Sequence, residues 1–139
     1  KEGAVEGELC PARLGWLERQ LAGAGDGGAL VFAHHPPFRL HMPALDRVRL
    51  GEAEAFARIA NDAGNVRHVF AGHVHRPVSG SWRGIPFNAM RGTNQQTALV
   101  FEDRFVTSHE PPAYAVILVD GDGVVVHFHD FLDRTAGTI

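Results

Sequence analysis

Two short strand-like stretches, each stopped by histidines and prolines, constrain this chain more than any other feature. Ala29-Leu30-Val31-Phe32-Ala33 runs straight into His34-His35-Pro36-Pro37, and Val66 to Phe70 runs into Ala71-Gly72-His73-Val74-His75-Arg76-Pro77. A short continuous apolar run suits a buried parallel strand, and proline cannot continue a central strand. Both histidine groups therefore fall at strand carboxyl ends, where open α/β sheets place their ligands. In an extended backbone, residues two apart share a face. His73 and His75 should then aim side by side, about 6.6 Å apart at roughly 3.3 Å per residue. Gly72 removes a Cβ where a ligand or second backbone comes close.

The intervening chain supports this placement. Glu52 to Ala63 carries Phe56, Ile59, Ala60 and Ala63 at helical spacing, and Gly64-Asn65 stops it with residues tolerant of the left-handed conformation. Strand, helix and strand form a βαβ unit with a right-handed crossover. That unit carries His34 and His73 to the same sheet edge. Upstream, Pro11 opens a helix with Leu14, Leu17 and Leu21 along one stripe. The Gly23–Gly28 stretch has neither P-loop nor GxGxxG order and reads as a linker.

Residues 36–50 have no period and carry Pro36, Pro37 and Pro43. Such a connection is usually functional. One reading is a substrate-facing lid touching ligand through Phe38, Arg39, His41 and Met42. The other is a surface loop packed by Phe38 and Met42. Beyond Pro77 the pattern is of short strands, among them Thr97 to Phe101. A β-hairpin follows, with Ala113–Val119 and Val124–Phe128 joined by Asp120-Gly121-Asp122-Gly123.

Nine histidines stand out in 139 residues. His127 and His129 repeat the spacing of His73 and His75, but lie along a hairpin strand with no glycine before them, which favours a half-exposed role. His68 reads as packing or surface; His41 and His109 lie in loops. A zinc finger needs cysteines, and only Cys10 is present. HExxH and GxSxG are absent, and Pro77 stands where a metallo-β-lactamase carries aspartate. Net charge is −3, with Lys1 the only lysine, which argues against a nucleic-acid partner. No apolar run approaches a membrane span. With one cysteine and no secretory leader, a cytoplasmic location is expected.

The two histidine blocks, Val31 to Phe38 and Val69 to Pro77, resemble the last two signature blocks of the calcineurin-like metallophosphoesterases. The resemblance is to the class III cyclic-nucleotide and glycerophosphodiester phosphodiesterase branch, and spans about residues 9–100. It implies an α/β fold: the C-terminal part of a four-layer α-β-β-α sandwich, with the βαβ unit followed by short, mostly antiparallel strands. It further implies two divalent ions (Mn, Fe, Zn or Co) that bind phosphate oxygens and supply hydroxide near neutral pH. His34, His73 and His75 would be metal ligands. His35, Gly72, Arg76, Phe38 and His41 would support them or face substrate. The substrate implied is a small phosphodiester.

The family's earlier blocks (Asp-x-His, Gly-Asp with a downstream acid, Gly-Asn-His-Asp/Glu) have no counterpart in this sequence. Asp26 and Asp122 follow glycine only in glycine-rich turns. The resemblance therefore implies a single domain over 1–139 that is the C-terminal portion of the enzyme. It would lack the N-terminal metal-binding blocks, with the acid–base histidine, and be inactive alone. Such a piece is expected to form homo-oligomers or to associate with the other half. The alternative is a non-catalytic metal-binding or assembly module built on the same half-fold.

Overall fold

The computed structural model describes residues 3–130. The single domain expected over 1–139 thus extends beyond the described residues at both ends. Helix α1 (Pro11–Ala22) precedes strand β1 (Ala29–Ala33), a short helix α2 (Pro43–Asp46) and helix α3 (Ala53–Ala63). Strands β2 (Val66–Ala71), β3 (Val78–Trp82) and β4 (Ile85–Ala89) follow. The two-residue strands β5 (Gln96–Thr97) and β6 (Thr107–Ser108) come next, then the hairpin β7 (Ala113–Val119) and β8 (Val124–Asp130).

The main sheet has the order β1-β2-β4-β3. β1 and β2 run parallel around α3, as the βαβ pattern predicts, and β4 is also parallel to β2. β3 turns back antiparallel onto β4 through Arg83-Gly84, both at positive φ (52° and 85°), the signature of a two-residue type I′ turn. The register aligns Ala33 with Ala71 and Ala71 with Ala89, so three parallel strands end level. Whatever follows those alanines is presented along one edge.

Alternation along the strands sends Val31, Val69, Ala71, Phe87 and Ala89 into the core against Leu17 and Leu21 of α1 and Phe56, Ile59 and Ala60 of α3. Gly64 ends α3 at φ 66°, the left-handed cap its sequence predicts. The 36–50 connection belongs to this core. Phe38 is only 1% exposed and stacks on Phe87 at 3.6 Å between ring centres, and Met42, Leu45 and Leu50 are buried with it. Of the two readings of that segment, the packed loop is the one present for Phe38 and Met42.

One local expectation changes. The strand expected over Thr97–Phe101 is confined to Gln96–Thr97, because its partner among the described residues, β6, is two residues long. The β7–β8 hairpin forms as its turn residues predict. Asp120 Oδ1 accepts the N–H groups of Asp122 and Gly123, each at 2.9 Å, to shape the turn. Arg67 of β2 donates to the Asp120 and Gly123 carbonyls (2.7 and 3.1 Å), tying the hairpin tip to the main sheet. Among the described residues no helix is long and apolar enough to cross a membrane.

Candidate metal centre

Beyond the level ends of β1 and β2 lie the histidine blocks. Gly72 N–H donates to the Ala33 and His34 carbonyls (3.3 and 3.1 Å), which stitches the two segments just past their strands. A Cβ on Gly72 would sit 3.6 Å from His34 Nδ1, an ordinary contact, so crowding does not explain the glycine. His73 and His75 leave the strand altogether. Both have positive φ, 63° and 48°, a region that non-glycine residues rarely enter. The side-by-side geometry of an extended strand therefore does not apply to them.

The structure gathers His34, His35 and His73. One ring nitrogen from each lies within 4.8 Å of the others. His73 Nδ1 and His34 Nε2 are 3.2 Å apart. The His35 and His73 ring centres are 4.1 Å apart. Burial, followed by the neighbouring imidazoles of His35, His34 and His75, pushes the His73 pKa down to about 4. Burial likewise lowers that of His35. The His73 and His35 rings are accordingly neutral at pH 7, with lone pairs available to a cation.

His75 is held differently. Its Nδ1 lies 2.8 Å from the Gln95 carbonyl. A carbonyl only accepts, so Nδ1 carries the hydrogen and Nε2 the lone pair. The same reasoning gives His35 an Nε2–H that donates to the Val5 carbonyl at 3.0 Å, leaving Nδ1 free.

The remaining candidates are dispersed. Arg76 lies turned to Glu110 Oε1 (2.8 Å), and Arg91 Nη2 reaches the other oxygen of that carboxylate at 3.2 Å. The Arg76 hydrogen bond is the first cause that holds the Glu110 pKa below the ordinary carboxylate range. His41, exposed at φ 58°, lines a cavity of about 630 Å³ with Arg39, Arg49, Ser81 and Trp82, and none of the three clustered histidines lines it. His127 and His129 are exposed on β8. His68 is buried, stacked on Phe70, with Nε2 donating to Asn88 Oδ1 at 2.8 Å, and so is a packing residue.

No protein-family model matches the chain. Individual proteins do. A probable cyclic nucleotide phosphodiesterase of Rhodopseudomonas palustris is 44% identical over 130 residues, 91% of this chain and 47% of the relative. The 3',5'-cyclic adenosine monophosphate phosphodiesterase of Escherichia coli K12 is 32% identical over 82 residues, 59% of this chain and 30% of the relative. A glycerophosphodiester phosphodiesterase of Enterobacter lignolyticus is 28% identical over 101 residues, 73% of this chain and 36% of the relative. These relatives are cyclic-nucleotide and glycerophosphodiester phosphodiesterases, which matches the class III metallophosphoesterase branch that the two histidine blocks resemble. It spans about half the length of the first of these relatives and about a third of the others.

A divalent ion is the group that this likeness implies, and the cluster of His34, His35 and His73 fits one. Two imidazole nitrogens on a tetrahedral ion, each at about 2.0–2.1 Å, lie roughly 3.3–3.4 Å apart. His34 Nε2 and His73 Nδ1 are already 3.2 Å apart. The surprise is His35, which stands beside them rather than behind. Its orientation comes from the amino-terminal segment, unremarkable in sequence. Gly7 packs so closely that a Cβ there would fall 2.6 Å from the His35 ring. The only sequence signal was the glycine itself.

Proposed function

We propose that this chain is the histidine-bearing part of a metal-dependent phosphodiesterase that acts on a small phosphodiester, of the cyclic-nucleotide or glycerophosphodiester kind. The observation that carries the reading is the meeting of His34 and His73 at 3.2 Å beyond two adjacent parallel strands. The names of the relatives, all phosphodiesterases, support the reaction class. In this reading His34 and His73 would hold one ion and His75 Nε2 a second, with the chain a portion of a four-layer sandwich. His35 steadies His73 from the side, or completes the first ion's ligand set. Divalent ions of the Mn, Fe, Zn or Co kind, held by these histidines, would supply Lewis-acid chemistry. The chain's own residues orient and insulate. Gly72 N–H fixes the His34 carbonyl, Val5 sets the His35 tautomer, and Gln95 sets that of His75.

The test is hydrolysis of bis(p-nitrophenyl) phosphate by the full-length gene product with Mn²⁺ or Zn²⁺ added. Turnover that disappears in His73→Ala, with the fold intact, is the expected result. Metal demonstrably bound without turnover of this or any cyclic-nucleotide or glycerophosphodiester substrate would overturn the reading.

A further inference from the structure

We infer that Gln96 is a positioning residue for His75. Its carboxamide closes the 92–96 turn, and the Gln95 carbonyl of that turn fixes the tautomer and aim of the imidazole. This rests on the reading of His75 as a metal ligand and extends it to a residue outside both histidine blocks.

Gln96 is 2% exposed, unusual for its type. Its side chain has a complete set of partners. Oε1 accepts the Gly92 N–H at 2.9 Å, while Nε2 donates to the Gly92 carbonyl at 2.8 Å and the Asn94 carbonyl at 3.2 Å. A carboxamide can in this way accept from the N–H and donate to the carbonyl of one residue. The turn so closed grips His75 at two places. Gln95 O accepts from the ring Nδ1 at 2.8 Å, and Thr97 N–H donates to the His75 carbonyl at 3.0 Å. Gly92 forms the wall against the ring. A Cβ there would lie 2.9 Å from His75 Nδ1 and 3.0 Å from Cγ.

The consequence is chemical as well as structural. A free neutral imidazole prefers its hydrogen on Nε2. The turn holds it on Nδ1 and so leaves Nε2 as the nitrogen with a lone pair. Partners that fix tautomer and ring orientation in this way tune the affinity of metal-ligating histidines. Without Gln96, the Gly92 and Asn94 carbonyls and the Gly92 N–H lose their cross-link, and the Gln95 carbonyl is free to swing away.

Two measurements on the 139-residue chain test this. The first is the ring ¹⁵N–¹H correlation spectrum in chelator at pH 8, which reports each histidine's tautomer. Gln96→Met is expected to move His75 from the Nδ1–H form to a mixture dominated by Nε2–H. His68, bonded to Asn88 far along the strand, should be unchanged. The second is titration with Zn²⁺ followed at the His75 ring signals, where affinity at Nε2 should fall about 10- to 100-fold. An unaltered His75 tautomer in folded Gln96→Met overturns the inference. If that variant does not fold, Gln96→Glu decides, because it keeps the acceptor and loses both donated bonds; an unchanged signature there is equally fatal. Should Zn²⁺ leave the His75 ring signals of the unsubstituted chain unmoved, the ligand reading of His75 fails, and the tautomer shift still decides what Gln96 does.

Discussion

His73 carries the largest consequence of any single residue. Its folded-state pKa is depressed to about 4 from 6.5, first by burial and then by three neighbouring imidazoles. The unfolded chain binds a proton below pH 6.5 that the folded chain refuses until about pH 4. Between those limits the unfolded state holds more protons, so stability rises with pH. The contribution is complete above the unfolded value and is lost as pH falls through the window. His35 and His68 are shifted the same way, each first by burial. In chelator, the unfolding midpoint is therefore expected to drop from pH 7.5 to pH 5, and His73→Gln should flatten but not abolish that slope. An unchanged slope in the variant would mean that another group carries it. The cluster also invites a comparison of substitutions. His73→Ala should abolish tight Zn²⁺ binding. His35→Ala should weaken it about 10- to 100-fold if the ring only steadies its neighbour. A loss as complete as that of His73→Ala would make His35 a ligand outright.

Among the elements, the 36–50 connection shows why function and packing are hard to separate in a sequence. Phe38, buried against Phe87, behaves as a core side chain on a segment with no periodicity. Phe38→Ala is expected to cost about 3–5 kcal/mol, the range for emptying a buried aromatic position, read as a shift in the urea midpoint. A lid residue would instead leave the midpoint in place. What was legible in the sequence was local. β1, β2, α3 and the β7–β8 hairpin each carry a period or a turn signal within their own residues, and the parallel pairing of β1 with β2 follows from the helix between them. The convergence of His34 and His73 was legible for the same reason. The left-handed backbone at His73 and His75 was not, because nothing within the block specifies it. His75 takes its orientation from Gln95, twenty residues on, and His35 from Val5, thirty residues back. Strands as short as β5 and β6 have no period to read.

On the scale of the whole molecule, apolar surface is left over. Tyr114, Val116 and Leu118 face outward on β7, each directly across from His129, His127 and Val125 of β8. All four apolar or aromatic members of that face are about half exposed. Phe32 is 67% exposed on β1, the outer strand of the main sheet, whose far edge has no partner among the described residues. Exposed apolar ribbons and open strand edges favour association. The magnitude decides how strongly. A seven-residue hairpin face is about 23 Å long and roughly 10 Å wide, which gives on the order of 230 Å² of flat area. A stable pair buries about 800 Å² on each partner. The hairpin face alone is too small, so self-association of the 139-residue chain should be weak and concentration-dependent rather than a tight dimer. Sedimentation equilibrium should show the average mass rising with concentration. Val116→Lys with Leu118→Lys should return it to the monomer value while leaving the thermal midpoint nearly unchanged, since solvent-facing substitutions usually stay within about 0.5 kcal/mol. A monomer mass at every concentration in the unsubstituted chain would refute association through these surfaces. A tight dimer unaffected by the two lysines would move the interface to the Phe32 edge, where Phe32→Lys tests it in turn.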